Sequence, residues 1–353
     1  MEISLGQGIR ELPGPLLLTG HTGFKGTWMT FLLEHLNVPV VGYSLSPEKY
    51  SLFDRAERTG AIPEVFADIR DYATLEKFID EKKPSTIVHM AAQPLVLKSY
   101  ENPHETFEIN VMGTVNILDI SFKKDFVKTI FVVTTDKVYR NDNSGRAFVE
   151  TDPLEGKDPY SASKVGTEAV VAAWQQISKV SGGPEVVSGR AGNVIGGGDF
   201  AQDRLIPDII RGLISKNQIE IRNPESTRPW QHVLDPLVGY IQAVEASLKG
   251  STLESVNFGP DATEFSVKNL VEIASTIFPE LRNFLLFKEI PKDSKESVKL
   301  DISSNLGKET LNWKPRWTSK QSIQLTFKWW NDLIESSADP TLLCSRDIQE
   351  YFS

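Results

Sequence analysis

The stretch Leu16-Leu17-Leu18-Thr19-Gly20-His21-Thr22-Gly23-Phe24-Lys25-Gly26 decides the fold of this chain. A short apolar run leads directly into three glycines at spacing G-x2-G-x2-G, and a helical pattern follows. Glycine supplies the unusual φ that a tight strand-to-helix turn needs. Gly23 would let the backbone approach a pyrophosphate, and Gly26 would let the helix pack closely on the strand. Taken alone, this spacing fits a simple tight turn as well as a dinucleotide site.

Short apolar runs alternate with helical patterns along the first half of the chain. The predicted strands are 16–19, 39–43, 64–67, 86–89, 129–134 and 185–188, and the predicted helices are 25–36, 72–81, 103–122 and 160–177. Continuously apolar strands separated by helices are typical of a parallel sheet covered on both faces. The sequence therefore predicts the α/β class with a Rossmann-type doubly wound parallel sheet, which favours a dinucleotide site in the glycine-rich turn.

The regular alternation of predicted strands and helices ends after about residue 190. Helices are predicted at 205–215, 236–248, 267–277 and 320–334, and strands at 219–221 and 255–258. We expect 236–248 and 255–258 to return to the first sheet, which makes the second domain discontinuous. The expected division is 1–192 plus about 234–260 for the dinucleotide-binding domain, and about 193–233 plus 261–353 for a smaller α/β substrate domain.

The composition narrows the class of protein. The 353 residues include 38 Lys and Arg against 47 Asp and Glu, a net charge of −9, which argues against nucleic-acid wrapping but not against a local basic pocket. Cys344 is the single cysteine and the five histidines lack metal-ligand spacing, so neither a disulfide nor a metal site is expected. No apolar run reaches membrane-spanning length and the N-terminus lacks a signal-peptide pattern, so we expect no membrane contact and a cytoplasmic location.

Two groups of polar residues carry candidate chemistry. Tyr160 and Lys164 lie one helical turn apart. A free tyrosine has a pKa of about 10, and a nearby ammonium favours its phenolate, so the pair is a plausible base for an alcohol proton. Thr135, Asp136 and Lys137 follow the fifth strand, at the sheet edge that faces the ligand crevice in such folds. Each group alone occurs more often as an ordinary surface contact or turn; the upstream glycine-rich turn favours the active-site interpretation.

The end of the second predicted strand lacks the acid that usually holds the adenosine ribose. Ser44 stands there instead and is able to bind a ribose hydroxyl or to tolerate a 2′-phosphate, so the choice between NAD and NADP stays open. Asp68, after the third strand, is placed to contact the adenine amino group, although an ordinary acidic turn fits the local sequence about equally well.

Together these residues resemble the extended short-chain dehydrogenase/reductase family, the NAD-dependent epimerases and dehydratases. The similar segments are Gly20 to Gly26, Gly42 to Leu45, His89 to Val96, Asn110 to Thr114, Thr135 to Tyr139, Asp158 to Lys164, Arg190 to Asp199, Asp203 to Pro207 and Arg228 to Val233. Within the family, the chain is similar to the branch of CDP-glucose 4,6-dehydratases, in which lysine follows the aspartate as Lys137 follows Asp136. Arg140 departs from the family pattern, where glutamate is more usual.

The resemblance implies NAD as cofactor and CDP-glucose as substrate. Tyr160 would remove the 4-OH proton while hydride passes from C4 to NAD, with Thr135 orienting the oxygen and Lys164 supporting Tyr160 and the nicotinamide ribose. Lys137 would then take the C5 proton, Asp136 would protonate the departing 6-OH, and hydride would return to C6. A lysine that acts as a base at neutral pH needs its pKa lowered by roughly two to three units from about 10.4.

The resemblance also assigns binding residues and an assembly. The expected NAD contacts are Gly20, Thr22, Gly23, Phe24, Lys25, Gly26, Ser44, Asp68, Ile69, Ala91, Ala92, Gln93, Asn110, Tyr160 and Lys164. The expected nucleotide-sugar contacts are Gln93, Ser99, Asn193, Arg204 and Arg228, with the two arginines on the diphosphate. The helices at 103–122 and 160–177 are similar to the pair that forms a dimeric four-helix bundle in the family, so we expect a homodimer. An epimerase, a dehydratase for another nucleotide sugar and a non-catalytic NAD-binding regulator remain alternatives.

Overall fold

The computed structural model describes residues 5–142, 144–261, 265–288 and 300–353. Within these ranges, Arg222 is described by its backbone only. The strands in these residues are β1 (Leu16–Thr19), β2 (Val40–Ser44), β3 (Glu64–Phe66), β4 (Thr86–His89), β5 (Thr129–Val133), β6 (Glu185–Ala191), β7 (Val194–Ile195), β8 (Ile219–Arg222), β9 (Gln231–His232), β10 (Ser255–Phe258) and β11 (Leu285–Lys288). Seven of them form one parallel sheet in the order β10-β6-β5-β4-β1-β2-β3. The predicted α/β class and Rossmann-type sheet are confirmed.

The described residues also form fourteen α-helices. They are α1 (Gln7–Arg10), α2 (Phe24–His35), α3 (Leu52–Arg55), α4 (Tyr72–Lys82), α5 (Val96–Glu101), α6 (Pro103–Phe107), α7 (Gly113–Phe122), α8 (Pro159–Ser181), α9 (Leu205–Ser215), α10 (Leu234–Leu248), α11 (Val267–Ile277), α12 (Asn305–Leu311), α13 (Ser319–Ser336) and α14 (Pro340–Phe352). Short 3-10 turns span Asp136–Val138 and Pro279–Asn283. Two small parallel pairs, β7 with β9 and β8 with β11, lie outside the main sheet.

Alternate residues of the central strands enter two separate cores, one on each face of the sheet. Leu17 of β1 and Ile87 of β4 lie in one core, whereas Leu16, Leu18 and Val88 lie in the other. Because both faces are covered, these strands are continuously apolar, which is the pattern that predicted them. Within the described residues, no helix has both the length and the apolar composition that crossing a bilayer requires.

The sheet has a switch point between β1 and β4. After β3 the chain returns across the sheet to place β4 on the other side of β1. In open α/β sheets, ligands bind in the crevice outside the carboxyl ends of the strands at such a point. The glycine-rich turn after β1 and the segment after β4 therefore meet at the expected ligand crevice.

The helix predicted at 103–122 is wrong as a single α-helix. A π-helical turn at Glu108–Met112 separates α6 from α7. The Asn110 carbonyl, inside this turn, accepts hydrogen bonds from the hydroxyls of Thr114 at 2.7 Å and Thr167 at 2.9 Å. Two side-chain donors from different helices thus hold a carbonyl within the π turn, a feature that hydrophobic periodicity does not reveal.

Both ends of the described chain are tied to the first sheet's helices. The Ile9 amide of α1 donates to Glu245 of α10 at 3.3 Å. At the other end, the Tyr351 hydroxyl of α14 donates to buried Asp235 at 3.1 Å, and the Phe352 ring stacks on His35 of α2. The short helix α1, to which the sequence patterns assign no role, therefore contacts α10.

Candidate active site

The glycine-rich turn joins β1 to α2 beside the segment that follows β4. Gly20 has a φ of 74°, and a Cβ there would lie 2.7 Å from the Ala91 nitrogen. A Cβ on Gly26 would lie 2.0 Å from the Gly20 carbonyl oxygen, so helix and turn meet backbone to backbone. Exposed Gly23 is the N-cap of α2. Having no side chain, it leaves the first N–H groups of the helix open to an anion, which gives the turn the shape of a phosphate cradle.

The ends of β2 and β3 lie next to this cradle. Buried Ser44 has its hydroxyl 2.8 Å from that of Thr22, which links the second strand to the turn. Asp68 accepts hydrogen bonds from Arg70, the shortest at 2.7 Å, and these hold the pKa of Asp68 below its usual range. Ile69 is buried beneath. The two predicted adenosine contacts are therefore at the same edge, with the Asp68 carboxylate already bound by an arginine.

A buried chain of hydrogen bonds links the ends of β1 and β4 to α7. Thr19 Oγ1 accepts from the amides of Met90 and Ala91, so its own proton goes to His89 Nδ1 at 2.8 Å. The other ring nitrogen then donates to Thr114 at 3.2 Å. Burial lowers the pKa of His89 to about 3, so the ring is neutral. His89 therefore joins β1, β4 and α7 and carries no charge into the site.

Several predicted binding side chains are engaged inside the protein. The side-chain carboxamide of Asn110 accepts a hydrogen bond from the backbone N–H of Gln93 at 2.8 Å and donates one to the Ser163 hydroxyl at 2.8 Å. The Gln93 carboxamide is hydrogen-bonded within its own loop and to α6. Fully buried Ser99 accepts from the Tyr160 amide at 3.1 Å. These contacts fix the start of α8, and contact of the same side chains with a ligand stays a prediction.

Tyr160 is buried at the start of α8, against the end of β5 and the region of α9. Burial raises the pKa of Tyr160 to about 12, whereas a hydrogen bond with Thr135 and the positive charge of Arg204 act to lower it. Arg204 is itself held by Asp199, with Nη1 and Oδ2 3.0 Å apart. The sequence assigned Arg204 to a diphosphate; the structure brings it within electrostatic reach of the phenol as well.

Buried Lys164 and half-buried Lys25 lie within electrostatic reach of each other. Lys164 donates to the Val133 carbonyl at 3.1 Å, and burial lowers its pKa to about 8 against the opposing charge of Glu168. Lys25, from the glycine-rich turn, donates to the Tyr240 hydroxyl at 3.2 Å. Burial, together with the charges of Lys164 and Arg204, lowers the pKa of Lys25 to about 7. Lys25, Lys164 and Arg204 thus bring three basic groups close together, although the chain is acidic overall.

Asp136 and Lys137 differ sharply in exposure. Burial raises the pKa of Asp136, and the cations of Lys137 and Arg228 act against this rise. A Cβ on Gly192 would lie 2.8 Å from Asp136 Oδ2, so that glycine makes room for the carboxyl. Lys137 is exposed at the same edge, and its amide donates to Thr135 at 3.3 Å. A carboxyl with a raised pKa and an accessible amine therefore stand side by side.

Some functional candidates were not found from the sequence. Asp199 holds Arg204, Gly192 accommodates Asp136, and Glu168 with Arg190 lies behind Lys164. Glu168 carries a local signal, since it follows Lys164 by one helical turn. The other contacts join segments distant in sequence. Asn193 is half-buried and follows β6 by two residues. The described residues contain no cluster of three or more His, Cys, Asp or Glu side chains suited to a metal.

A scan for known families matches residues 16–259 to the NAD dependent epimerase/dehydratase family. The chain belongs to this family. It is 39% identical over 348 residues to the CDP-glucose 4,6-dehydratase of Salmonella typhimurium, a match that covers 96% of each chain. It is 25% identical to the dTDP-glucose 4,6-dehydratase of Haemophilus influenzae, over 92% of this chain and 99% of that one. The family resemblance read from the sequence is confirmed.

Solved structures of the family share the fold. The dTDP-glucose 4,6-dehydratase of Streptomyces venezuelae, solved with NAD bound, aligns with a TM-score of 0.77 at 23% identity, covering 93% of this chain and 99% of that chain. A UDP-glucose 4-epimerase from Thermotoga maritima aligns with a TM-score of 0.76 at 20% identity, over 91% and 99%. Epimerases and dehydratases thus share one scaffold, and the side chains in the crevice must separate them.

Alanine at Gly26 and at Gly23 should separate folding from cofactor binding in this family member. We expect Gly26→Ala to lower the free energy of unfolding by about 2 kcal/mol or more, because its Cβ would lie against the Gly20 carbonyl. Gly23→Ala should change it by about 1 kcal/mol or less, since its Cβ reaches that carbonyl at an ordinary 3.4 Å.

Gly23→Ala should nevertheless weaken NAD binding by about tenfold or more, because the added methyl covers the cradle. Thermal melts and calorimetric NAD titrations measure the two effects separately. Equal losses of stability in both variants, or unchanged NAD affinity in Gly23→Ala, would contradict the assigned roles of these glycines.

Proposed function

We propose that this protein converts CDP-glucose to CDP-4-keto-6-deoxyglucose, with NAD as a regenerated cofactor. The observation that carries the proposal is buried Asp136, which lies within electrostatic reach of Tyr160 and has exposed Lys137 next to it. An epimerase needs no group that protonates a leaving hydroxyl, whereas a dehydratase needs both an acid and a base. The 39% identity to a CDP-glucose 4,6-dehydratase over nearly the whole chain supports the choice of substrate.

The residues of the crevice fit a dinucleotide. The open N-terminus of α2 and the close approach of Gly20 and Gly26 would hold the pyrophosphate, Ser44 with Thr22 would bind the adenosine ribose, and Lys164 would bind the nicotinamide ribose. When bound, NAD supplies the oxidising nicotinamide that takes hydrogen from C4 of the sugar and returns it to C6.

Tyr160 acts as the base for the 4-OH. In the cofactor-free protein its phenol is protonated at neutral pH, because burial raises its pKa to about 12. Lys164 and Arg204 are the cations placed to favour the phenolate once water is excluded from the site. Thr135, which is hydrogen-bonded to the Tyr160 side chain, would bind the same sugar oxygen and orient it toward Tyr160.

Lys137 and Asp136 divide the elimination between them. Oxidation at C4 acidifies the C5 hydrogen, and the accessible amine of Lys137 removes it. Asp136 keeps its proton more readily than a free carboxyl because it is buried, so it protonates the departing 6-OH. Arg204, Arg228 and Asn193 are proposed to bind the diphosphate at the border of the smaller domain (about 193–233 plus 261–353).

Incubation with a panel of nucleotide sugars tests the proposal. Purified protein with NAD should convert CDP-glucose to a product lighter by one water, while dTDP-, UDP- and GDP-hexoses react at least about a hundred-fold more slowly in kcat/KM. A product of unchanged mass with inverted stereochemistry would favour an epimerase. Binding of NAD and CDP-glucose without turnover would favour a regulator, and a faster reaction of another nucleotide sugar would change the substrate assignment.

We also propose a homodimer and a cytoplasmic location, where sugar nucleotides and NAD are both present. The dimer proposal rests on an exposed apolar face of α5, α6, the π turn and α8. Its large members are Leu97, Tyr100, Phe107, Met112, Ile177 and Val180, each at least 40% exposed. Ala169, Ala172 and Ala173 lie exposed on the same helix α8 and allow close approach of a second copy. Large apolar side chains exposed on neighbouring helices favour association with a second copy of the chain.

A charge placed in this face should give a monomer. We expect Met112→Asp, at a side chain 50% exposed, to shift the protein from dimer to monomer in analytical ultracentrifugation at micromolar concentration. Leu342→Asp, at an exposed leucine of α14 outside the face, is the matched control and should leave the dimer intact. A dimer of unchanged stability in Met112→Asp would place the interface elsewhere.

A further inference from the structure

A buried ion pair lies one helical turn behind Lys164 and has no assigned role. Glu168 of α8 and Arg190 of β6 are 5% exposed and joined by two hydrogen bonds of 2.9 Å. The Glu168 carboxylate also accepts from Thr134 at 2.6 Å and from Ser188 at 2.9 Å. All four hydrogen bonds come from side chains, so the charge is fully solvated by the protein.

This pair contacts both ends of the segment that carries the elimination residues. Thr134, bound to Glu168, immediately precedes that segment. Tyr139, which follows it, accepts a 2.9 Å hydrogen bond from Arg190 and donates to Asn257 of β10 at 2.7 Å. Arg190 also donates to the Glu150 carbonyl at 2.9 Å. The ion pair thus joins α8 and β6 to the residues on either side of positions 135–138, and Tyr139 extends this network to β10.

We propose that Glu168 and Arg190 are positioning residues of the active site, whose ion pair clamps residues 134–139 so that Thr135, Asp136 and Lys137 keep their register with Tyr160 and Lys164. This inference deepens the proposed function and rests on it. An ion pair of this burial is not required for stability alone, since well-packed apolar residues often replace such pairs at little cost. Its contacts are instead distributed over the catalytic segment and the helix that carries Tyr160.

The pair also acts on Lys164 through charge. The groups within electrostatic reach of Lys164 are Lys25 in the first turn of α2, neutral His89 at the end of β4, and Glu168 on its own helix. Burial lowers the pKa of Lys164 to about 8, and Glu168 is the negative charge that opposes this. Loss of the Glu168 charge should therefore lower the pH at which Lys164 loses its proton.

Glu168→Gln tests both effects. We expect kcat for CDP-glucose to fall by about tenfold or more while KM changes by about twofold or less, because the groups that bind substrate remain. The alkaline limb of the kcat profile should move down by about one pH unit. The ¹³Cε titration of Lys164, identified through a Lys164→Arg variant, should show the same shift in the cofactor-free protein, so this readout survives even if CDP-glucose is not the substrate.

Tyr139→Phe and Glu254→Gln complete the experiment. Tyr139→Phe removes the Arg190 contact on the clamped segment and keeps the Glu168 charge, so kcat should fall without a shift in the Lys164 titration. Glu254 pairs with Lys179 at the exposed far end of α8, and Glu254→Gln should match the unmodified protein in every readout. Normal kcat and an unmoved Lys164 titration in folded Glu168→Gln would overturn the proposal. If Glu168→Gln does not fold, normal kcat in Tyr139→Phe would overturn it.

Discussion

Replacement of Tyr160 by phenylalanine should reduce kcat by about a thousand-fold or more, because the variant lacks the base for the first proton transfer. The phenol is buried against Thr135 and Arg204, so the ring of phenylalanine fits the same space without the oxygen. NAD affinity should change far less than kcat, since the proposed pyrophosphate cradle at the start of α2 is built without the Tyr160 hydroxyl. Steady-state turnover of CDP-glucose and calorimetric NAD titration measure the two quantities.

The pH dependence of activity provides a second test of Tyr160 as the base. Burial raises the pKa of the phenol, so it is protonated near neutrality in the free protein, and activity should rise with pH as the bound complex loses this proton. Tyr50→Phe is the matched control, because Tyr50 is 51% exposed and belongs to neither the proposed active site nor the proposed dimer face. A Tyr160→Phe variant within about tenfold of normal kcat would remove Tyr160 from the role of base.

Replacement of Lys137 by alanine should stop the reaction after oxidation. The side chain is exposed and does not support the fold, so we expect a stable protein that still binds CDP-glucose and NAD. In a single turnover, the absorbance of reduced nicotinamide should appear and persist, whereas loss of water should slow by about a hundred-fold or more. The control is Lys157→Ala, which removes another exposed lysine, in the loop before α8. This variant should behave as the unmodified protein.

Solvent exchange separates the roles of Lys137 and Asp136. In D2O, the unmodified protein and an Asp136→Asn variant should place deuterium at C5, because Lys137 removes that proton in both. Lys137→Ala should lose the exchange along with the elimination. Normal dehydration by Lys137→Ala, or unchanged C5 exchange, would assign the base to another group of the crevice.

Much of the main sheet was predictable because its strands are buried on both faces. The bounds of β1, β4 and β10 and of the helices α9 and α11 match the predicted segments, and the other strands of the sheet differ mainly at their ends. The two-residue strands β7 and β9 and the short helices α1 and α3 have no periodicity that a sequence pattern would reveal. The π turn at Glu108–Met112 depends on Thr114 and Thr167, and only the first of these is near in sequence.

Residues of the candidate site were predictable where they are grouped at the end of one strand or on one face of one helix. Thr135 to Lys137 follow one strand, and Tyr160 and Lys164 share one helix. Contacts between distant segments were not visible, such as Gly192 against Asp136 or Arg204 near Tyr160. The sequence credited Lys164 with lowering the pKa of Tyr160, and this role stays a prediction. In the structure Thr135 and Arg204 act to lower that pKa, and Lys164 donates to the Val133 carbonyl.

CDP-glucose that carries deuterium at C4 gives the most direct test of the proposed dehydratase. The protein with NAD should release CDP-4-keto-6-deoxyglucose with that deuterium at C6, because the hydrogen taken from C4 is returned within the same site and the cofactor is regenerated. Mass and proton spectra of the product locate the label. A product that lacks the deuterium at C6, or substrate recovered with the label at C4 and an inverted hydroxyl, would contradict it.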